Sequence, residues 1–123
     1  MPAKVVDASV LAAMAFGESR AAEAKELISG CEVFAPDFLP YEVCSVAYKK
    51  VVRQNLAEAG SALDSLRTIL SLGITLLPVP KDALLSLALA TGLTAYDAAY
   101  LYVARNLRCP LGTFDEWLAR ALA

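Results

Sequence analysis

Apolar positions along the chain fall into two patterns. Short runs at residues 3–6 (AKVV), 32–35 (EVFA), 74–77 (ITLL) and 109–112 (CPLG) read as brief strands. Between them, apolar and polar positions recur at helical spacing. VLAAMAF reads as a short helix ending at Gly17, and residues 19–29 as a helix with Ser19 as a cap and Gly30 as a stop. Residues 37–55 form a long helical stretch with Pro40 near its start, where proline is tolerated, and Val43, Val46 and Ala47 at helical spacing. Further helices are predicted over 59–72, stopped by Gly73, and over 81–91, apolar on nearly all sides. LTAYDAAYLYVAR starts a helix at a Thr94 cap, with Leu101, Tyr102 and Ala104 facing inward, and ends near Asn106. A last helix spans 114–121.

The order is therefore β-α-α-β-α-α-β-α-α-β-α. Strands alternating with helices predict an α/β fold with a parallel sheet covered on both faces. No repeat, low-complexity tract or linker interrupts the pattern, so residues 1–123 read as one domain. Sites in such folds lie beyond the C-terminal ends of the strands.

Composition narrows the function. Hydrophobic residues make up 58% of the chain, high for a small domain, which points to surface hidden in a partner or a second copy. The longest uncharged run, residues 83–96, has 14 residues and is too short to span a bilayer. Asp7 interrupts what a secretory leader would need, so a cytoplasmic protein is expected. Cys31, Cys44 and Cys109 are widely spaced and there is no His, which argues against zinc; they read as small packing residues, with a disulfide left open. A net charge of −2 excludes nucleic-acid binding by bulk positive charge. Without His, hydrolytic chemistry must use carboxylates, hydroxyls, Lys or a metal.

Four carboxylates sit where such chemistry would be placed. Asp7 follows the first strand directly. Glu42 lies in the first turn of the long helix after the second strand. Asp97 opens the YDAAY helix, and Asp115 follows Thr113 after the last strand. Each has a plain structural reading as a helix-end device, and Thr113-Phe114-Asp115-Glu116 has the form of a capping box. Taken together they change meaning, because β–α junctions of a parallel sheet share one rim. Four acids brought close repel one another, and hard divalent cations relieve that repulsion. Mg²⁺ or Mn²⁺ so held can cleave a phosphodiester without histidine.

At these residues the sequence resembles the PIN-domain nucleases, and among them the VapC-type toxins of toxin–antitoxin pairs. The resemblance rests on VVDASVLAAMAFGE, APDFLPYEVCSVAYK, LTAYDAAYLYVAR and PLGTFDEWLARA, and covers the chain from about Val5 to Leu118. The T-x-Y-D-A-x-Y and T-x-D patterns are its most specific parts. It implies a three-layer α/β/α fold with a short parallel sheet of 4–5 strands. It implies Mg²⁺- or Mn²⁺-dependent endonucleolytic cleavage of RNA, leaving a 5′-phosphate and a 3′-hydroxyl. It implies Asp7, Glu42, Asp97 and Asp115 as the acidic, metal-binding cluster, with Ser9 and Thr113 as accompanying hydroxyls. Ser9 would orient Asp7 or a bound water, and Thr113 would do the same near Asp115. A homodimer and an antitoxin partner are implied as well, and charge neutralisation would favour an antitoxin Arg among the acids. Gly112 departs from the pattern, standing where a larger residue usually precedes the Thr; this would loosen the last strand and leave the acids intact.

Other features carry less. Lys49, Lys50 and Arg53 could meet RNA phosphates or form a solvated helix face, while Arg105 and Arg108 suit a helix C-terminus. Tyr96, Tyr100 and Tyr102 could stack on bases, but the spacing of Tyr96 and Tyr100 favours packing. The helix ALLSLALATGL is the candidate dimer surface. An aspartyl-nucleophile phosphatase would need an Asp at position 9, where Ser9 stands. A receiver domain would need an acidic pair near position 7 and a late Lys, whereas the last Lys is Lys81. The remaining alternative is a catalytically weak PIN-like protein that binds RNA or a partner.

Overall fold

The computed structural model describes residues 1–55 and 58–122; Leu56, Ala57 and Ala123 lie outside the described residues. The elements are β1 (Ala3–Val6), α1 (Ala8–Ala15), α2 (Ala21–Ile28), β2 (Glu32–Pro36), α3 (Leu39–Val52), α4 (Ala59–Leu70), β3 (Thr75–Leu77), α5 (Lys81–Thr91), α6 (Ala95–Leu107), β4 (Leu111–Gly112) and α7 (Glu116–Arg120). Their order is the one the apolar pattern predicts. The four strands form one sheet in the order β3-β2-β1-β4, and every pair is parallel. Helices cover both faces, giving three α/β/α layers.

The topology fixes where a site can form. From β1 the chain builds β2 and then β3 on one side, and returns to lay β4 on the other. The sheet order therefore reverses at β1, and a crevice opens beyond the C-terminal ends of β1 and β4. The β1–β4 register pairs Val5 with Leu111 and Val6 with Gly112, so Asp7 and Thr113 emerge side by side. The Asp7 N–H donates to the Gly112 carbonyl at 3.2 Å, which ties the two exits together.

The core explains why these elements hold that crevice. Val5 and Val6 of β1, Val10 and Leu11 of α1, and Ala98, Tyr100 and Leu101 of α6 are all essentially buried. Small residues let α6 lie close to β1 and β2, on which it packs directly. α5 ends at Gly92, left-handed at φ 73, and the axis turns by 106° before α6 begins. That turn aims the N-terminus of α6, and hence Asp97, at the rim of the sheet. No single helix among the described residues is long and apolar enough to cross a membrane.

Local differences from the sequence reading have simple causes. Ser19 does not cap α2. The cap position is Arg20, whose side chain makes no capping bond and instead grips Glu23 through two hydrogen bonds of 2.8 and 2.9 Å. β4 is shorter than residues 109–112, because Arg108 leaves α6 in the left-handed region at φ 53 and Cys109 still donates to the Ala104 carbonyl. Space at residue 112 is tight: a Cβ there would lie 3.3 Å from Val6 Cγ1 and 3.7 Å from Leu27 Cδ1, so Val6 would have to give slightly. The three cysteines are free.

Candidate active site

Asp7 is the centre of the rim. Its backbone is extended (φ −92°, ψ 177°), as an N-cap requires, and its Oδ1 accepts from the N–H groups of Ser9 at 3.1 Å and Val10 at 3.3 Å. Ser9 Oγ donates to the same oxygen at 2.5 Å, and Thr113 Oγ1 donates to Oδ2. Each hydroxyl is itself held by a backbone N–H: Phe114 donates to Ser9 Oγ at 3.1 Å, and Asp115 to Thr113 Oγ1 at 3.0 Å. Two N–H–hydroxyl–carboxylate relays therefore lock Asp7 to the β4–α7 junction. Thr113 acts on the carboxylate of Asp7, where the resemblance had it acting near that of Asp115. Asp7 is only 5% exposed, and burial raises its pKa against the lowering effect of these four bonds.

The other three acids surround this anchor. Glu42 stands in the first turn of α3 and its Oε1 accepts from the buried Tyr100 hydroxyl at 2.6 Å. Its pKa is raised, first by burial and then by the charges of Asp7 and Asp97. Burial, and then the proximity of Glu42, push the Tyr100 hydroxyl above its ordinary range, so it stays a proton donor. Asp97 lies in the first turn of α6. Thr94 Oγ1 accepts from its backbone N–H at 3.2 Å, so Asp97 contributes its N–H to the cap; among the described residues its carboxylate accepts no backbone N–H, and a side-chain hydrogen bond with Thr94 lowers its pKa somewhat. That carboxylate has a raised pKa, from burial and then from Asp115 and Asp7. Asp115 caps α7, its Oδ1 accepting from Trp117 N–H at 2.9 Å and Leu118 N–H at 3.1 Å. The capping residue is thus Asp115 and not Thr113.

The structure sets Asp7, Glu42 and Asp97 within one another's field and Asp115 within that of Asp97; Asp7, Glu42 and Asp115 come from β–α junctions and Asp97 from the turn between α5 and α6. Among the described residues none of them is paired with Lys or Arg. Nor, among the described residues, do any three His, Cys, Asp or Glu side chains form a ready-made cation cage. The donor set is nevertheless all oxygen and uncompensated, which suits a hard ion that keeps most of its waters and takes one or two carboxylates directly.

A parallel α/β/α sheet with acids gathered along its rim is the arrangement of a PIN-like fold. The family model described as "PIN domain" matches residues 4–121, and the chain belongs to that family. It is 37% identical over 120 residues to Ribonuclease VapC3 of Pyrobaculum aerophilum, covering 94% of this chain and 91% of the relative. A crystal structure of PAE2754, also from Pyrobaculum aerophilum, superposes with a TM-score of 0.75 at 29% identity, covering 98% of this chain and 86% of that one.

One group of neighbours was missed by the sequence reading. Phe38 meets Tyr96 edge-on at 5.2 Å between ring centroids and Tyr100 at 5.6 Å. Tyr100 belongs to the core, whereas Tyr96 and Tyr41 are exposed. Helical spacing placed Tyr96 and Tyr100 on one face; only the position of Phe38 between them shows that one ring is inside and the other outside.

Proposed function

We propose that the chain is an endoribonuclease, the toxin of a cytoplasmic toxin–antitoxin pair, working with Mg²⁺ or Mn²⁺. The observation that carries this is the set of four carboxylates gathered on the rim, none of them paired with Lys or Arg among the described residues. Burial raises the pKa of Asp7, Glu42 and Asp97, and neighbouring acids raise those of Glu42 and Asp97 further, a state that a bound cation reverses. Family membership and a relative named as a ribonuclease point the same way.

Asp7, Glu42, Asp97 and Asp115 would hold the ion, directly or through water. Bound there, a divalent cation would supply an activated water at neutral pH, a grip on the phosphodiester and relief of charge on the leaving oxygen. Ser9 and Thr113 are positioning residues: both hydroxyls donate to Asp7 and fix which lone pairs face the crevice. Tyr100 orients Glu42 in the same way. Asp97 is the least committed acid, since its helix end is already capped by Thr94. With no histidine in the chain, proton movement falls to these carboxylates and to water.

The acidic rim also suits a partner's guanidinium, so an antitoxin inserting an Arg would block it by charge-assisted bonds. α5 offers a surface for a second copy: Leu85 and Leu89, one turn apart, point outward while Leu84, Leu87 and Ala88 pack on the core. The absence of a tight cation cage among the described residues favours one other reading, a PIN-like protein that binds RNA without cutting it. Incubating purified protein with mixed-sequence single-stranded RNA separates the two. Cutting with Mn²⁺ or Mg²⁺, abolished by EDTA and by Asp97→Asn, is the expected result. RNA bound but intact under all conditions would leave the binding reading.

A further inference from the structure

Beside Glu42 lies a cleft of about 570 Å³, lined by Phe38, Tyr41, Glu42, Ser45, Lys49 and Tyr96, within the size range of small-ligand sites. Its floor is one strip of α3: residues 41, 45 and 49 recur every fourth position, with Glu42 alongside. Two rings flank it in the open, Tyr41 at 81% and Tyr96 at 60% exposure. Phe38 braces Tyr96 from behind, edge to face at 79°. The strip has a chemical direction. Its Glu42 end belongs to the acidic rim, its middle is aromatic, and its far end is the Lys49 ammonium, about 10 Å along the helix axis. Lys49 and Lys50 are neighbours in sequence with different fates. Lys50 is bound to Glu18 at 2.6 Å, whereas among the described residues Lys49 makes no ion pair.

We propose that this cleft is a subsite for one unpaired nucleotide of single-stranded RNA flanking the scissile phosphate. This rests on the ribonuclease reading of the rim. The base stacks on Tyr41 and Tyr96, whose faces accept any base. Lys49 meets the phosphate on the far side of that nucleotide, and Glu42 remains with the rim. A net-negative protein thereby holds a polyanion through local charge and stacking, with no broad basic face. The requirement for a free π-face makes the site blind to duplex RNA.

The test is anisotropy of a short fluorescent single-stranded RNA titrated with protein in EDTA, alongside cleavage of the same RNA in Mn²⁺. Tyr41→Ala is expected to weaken binding and raise KM by about tenfold with little change in kcat, and Tyr41→Phe to restore both. Lys49→Ala is expected to weaken binding more than Lys25→Ala, which removes the same charge from an exposed position on α2. Duplex of the same sequence is expected to bind less well and to ignore Tyr41→Ala. Binding that depends on Tyr41 in a protein that does not cut would keep the subsite and overturn the ribonuclease reading. Cutting with binding and KM unchanged in Tyr41→Ala would do the reverse, and would point to a peptide partner as the occupant. A wild-type protein that neither binds nor cuts RNA would overturn both.

Discussion

The two halves of the acidic rim are built differently. On the β1–β4 side, Asp7 is buried and takes bonds from two hydroxyls and two backbone N–H groups. On the α3–α6 side, among the described residues, Glu42 has one hydroxyl partner and Asp97 accepts no backbone N–H. Glu42 and Asp97 feel the charge of neighbouring acids, and the protein answers each with one hydroxyl where it answers Asp7 with four bonds. The first half is therefore an anchor that folding completes. The second is held in place by its helices and left electrostatically unsatisfied, which is the condition for binding a counter-charge from outside.

Substitutions can break this contrast from either side. The largest effect is expected at Asp97. Asp97→Asn keeps the backbone bond to Thr94 and so the helix cap, yet should lower RNA cleavage by about 100-fold or more, the scale for losing a group at a metal site. Its circular dichroism spectrum should match that of the wild type. The anchor side should respond in the opposite currency. Thr113→Val strands Asp7 Oδ2 and the Asp115 N–H together, so a loss of about 1–3 kcal/mol in urea unfolding is expected. Gly112→Val meets Val6 Cγ1 and should cost a similar amount by overpacking, about 1–3 kcal/mol.

Smaller effects sharpen the same comparison through pH. Asp7, Glu42 and Asp97 all have folded pKa values above their ordinary ones. For a raised group, the stabilising contribution is complete below the unfolded pKa and is lost as pH rises through the folded one. The metal-free protein should therefore lose stability on going from the ordinary carboxylate range toward neutrality. Glu42→Gln, which keeps an oxygen for the Tyr100 hydroxyl, should raise Tm at neutral pH and leave it unchanged at low pH. Mn²⁺ should raise the wild-type Tm in differential scanning fluorimetry by binding only the folded state, and that rise should shrink in Glu42→Gln.

Much of this was legible in the sequence. Alternating short apolar runs and helical periodicity give the element order, and the C-terminal edge rule puts Asp7 and Asp115 on one rim. What sequence spacing does not carry is contact between elements. Thr113 precedes Asp115 in the chain but serves Asp7 across 106 residues. Lys49 and Lys50 are equivalent along α3 until Glu18, from the α1–α2 connection, claims one of them. Tyr41 carries no signal along the chain, and becomes a cleft wall only when α6 sets Tyr96 opposite. Helix caps at α2 and α7 also moved by a residue or two, because several side chains in a row could each serve and packing chose among them.

If the four acids act as one cation site, Mn²⁺ binding depends on Asp97. Calorimetric titration of Mn²⁺ into the wild-type protein and into Asp97→Asn tests that directly. Saturable binding by the wild type, weakened at least about tenfold in the variant, is the predicted result. Equal binding by both proteins, or none by the wild type, would contradict it.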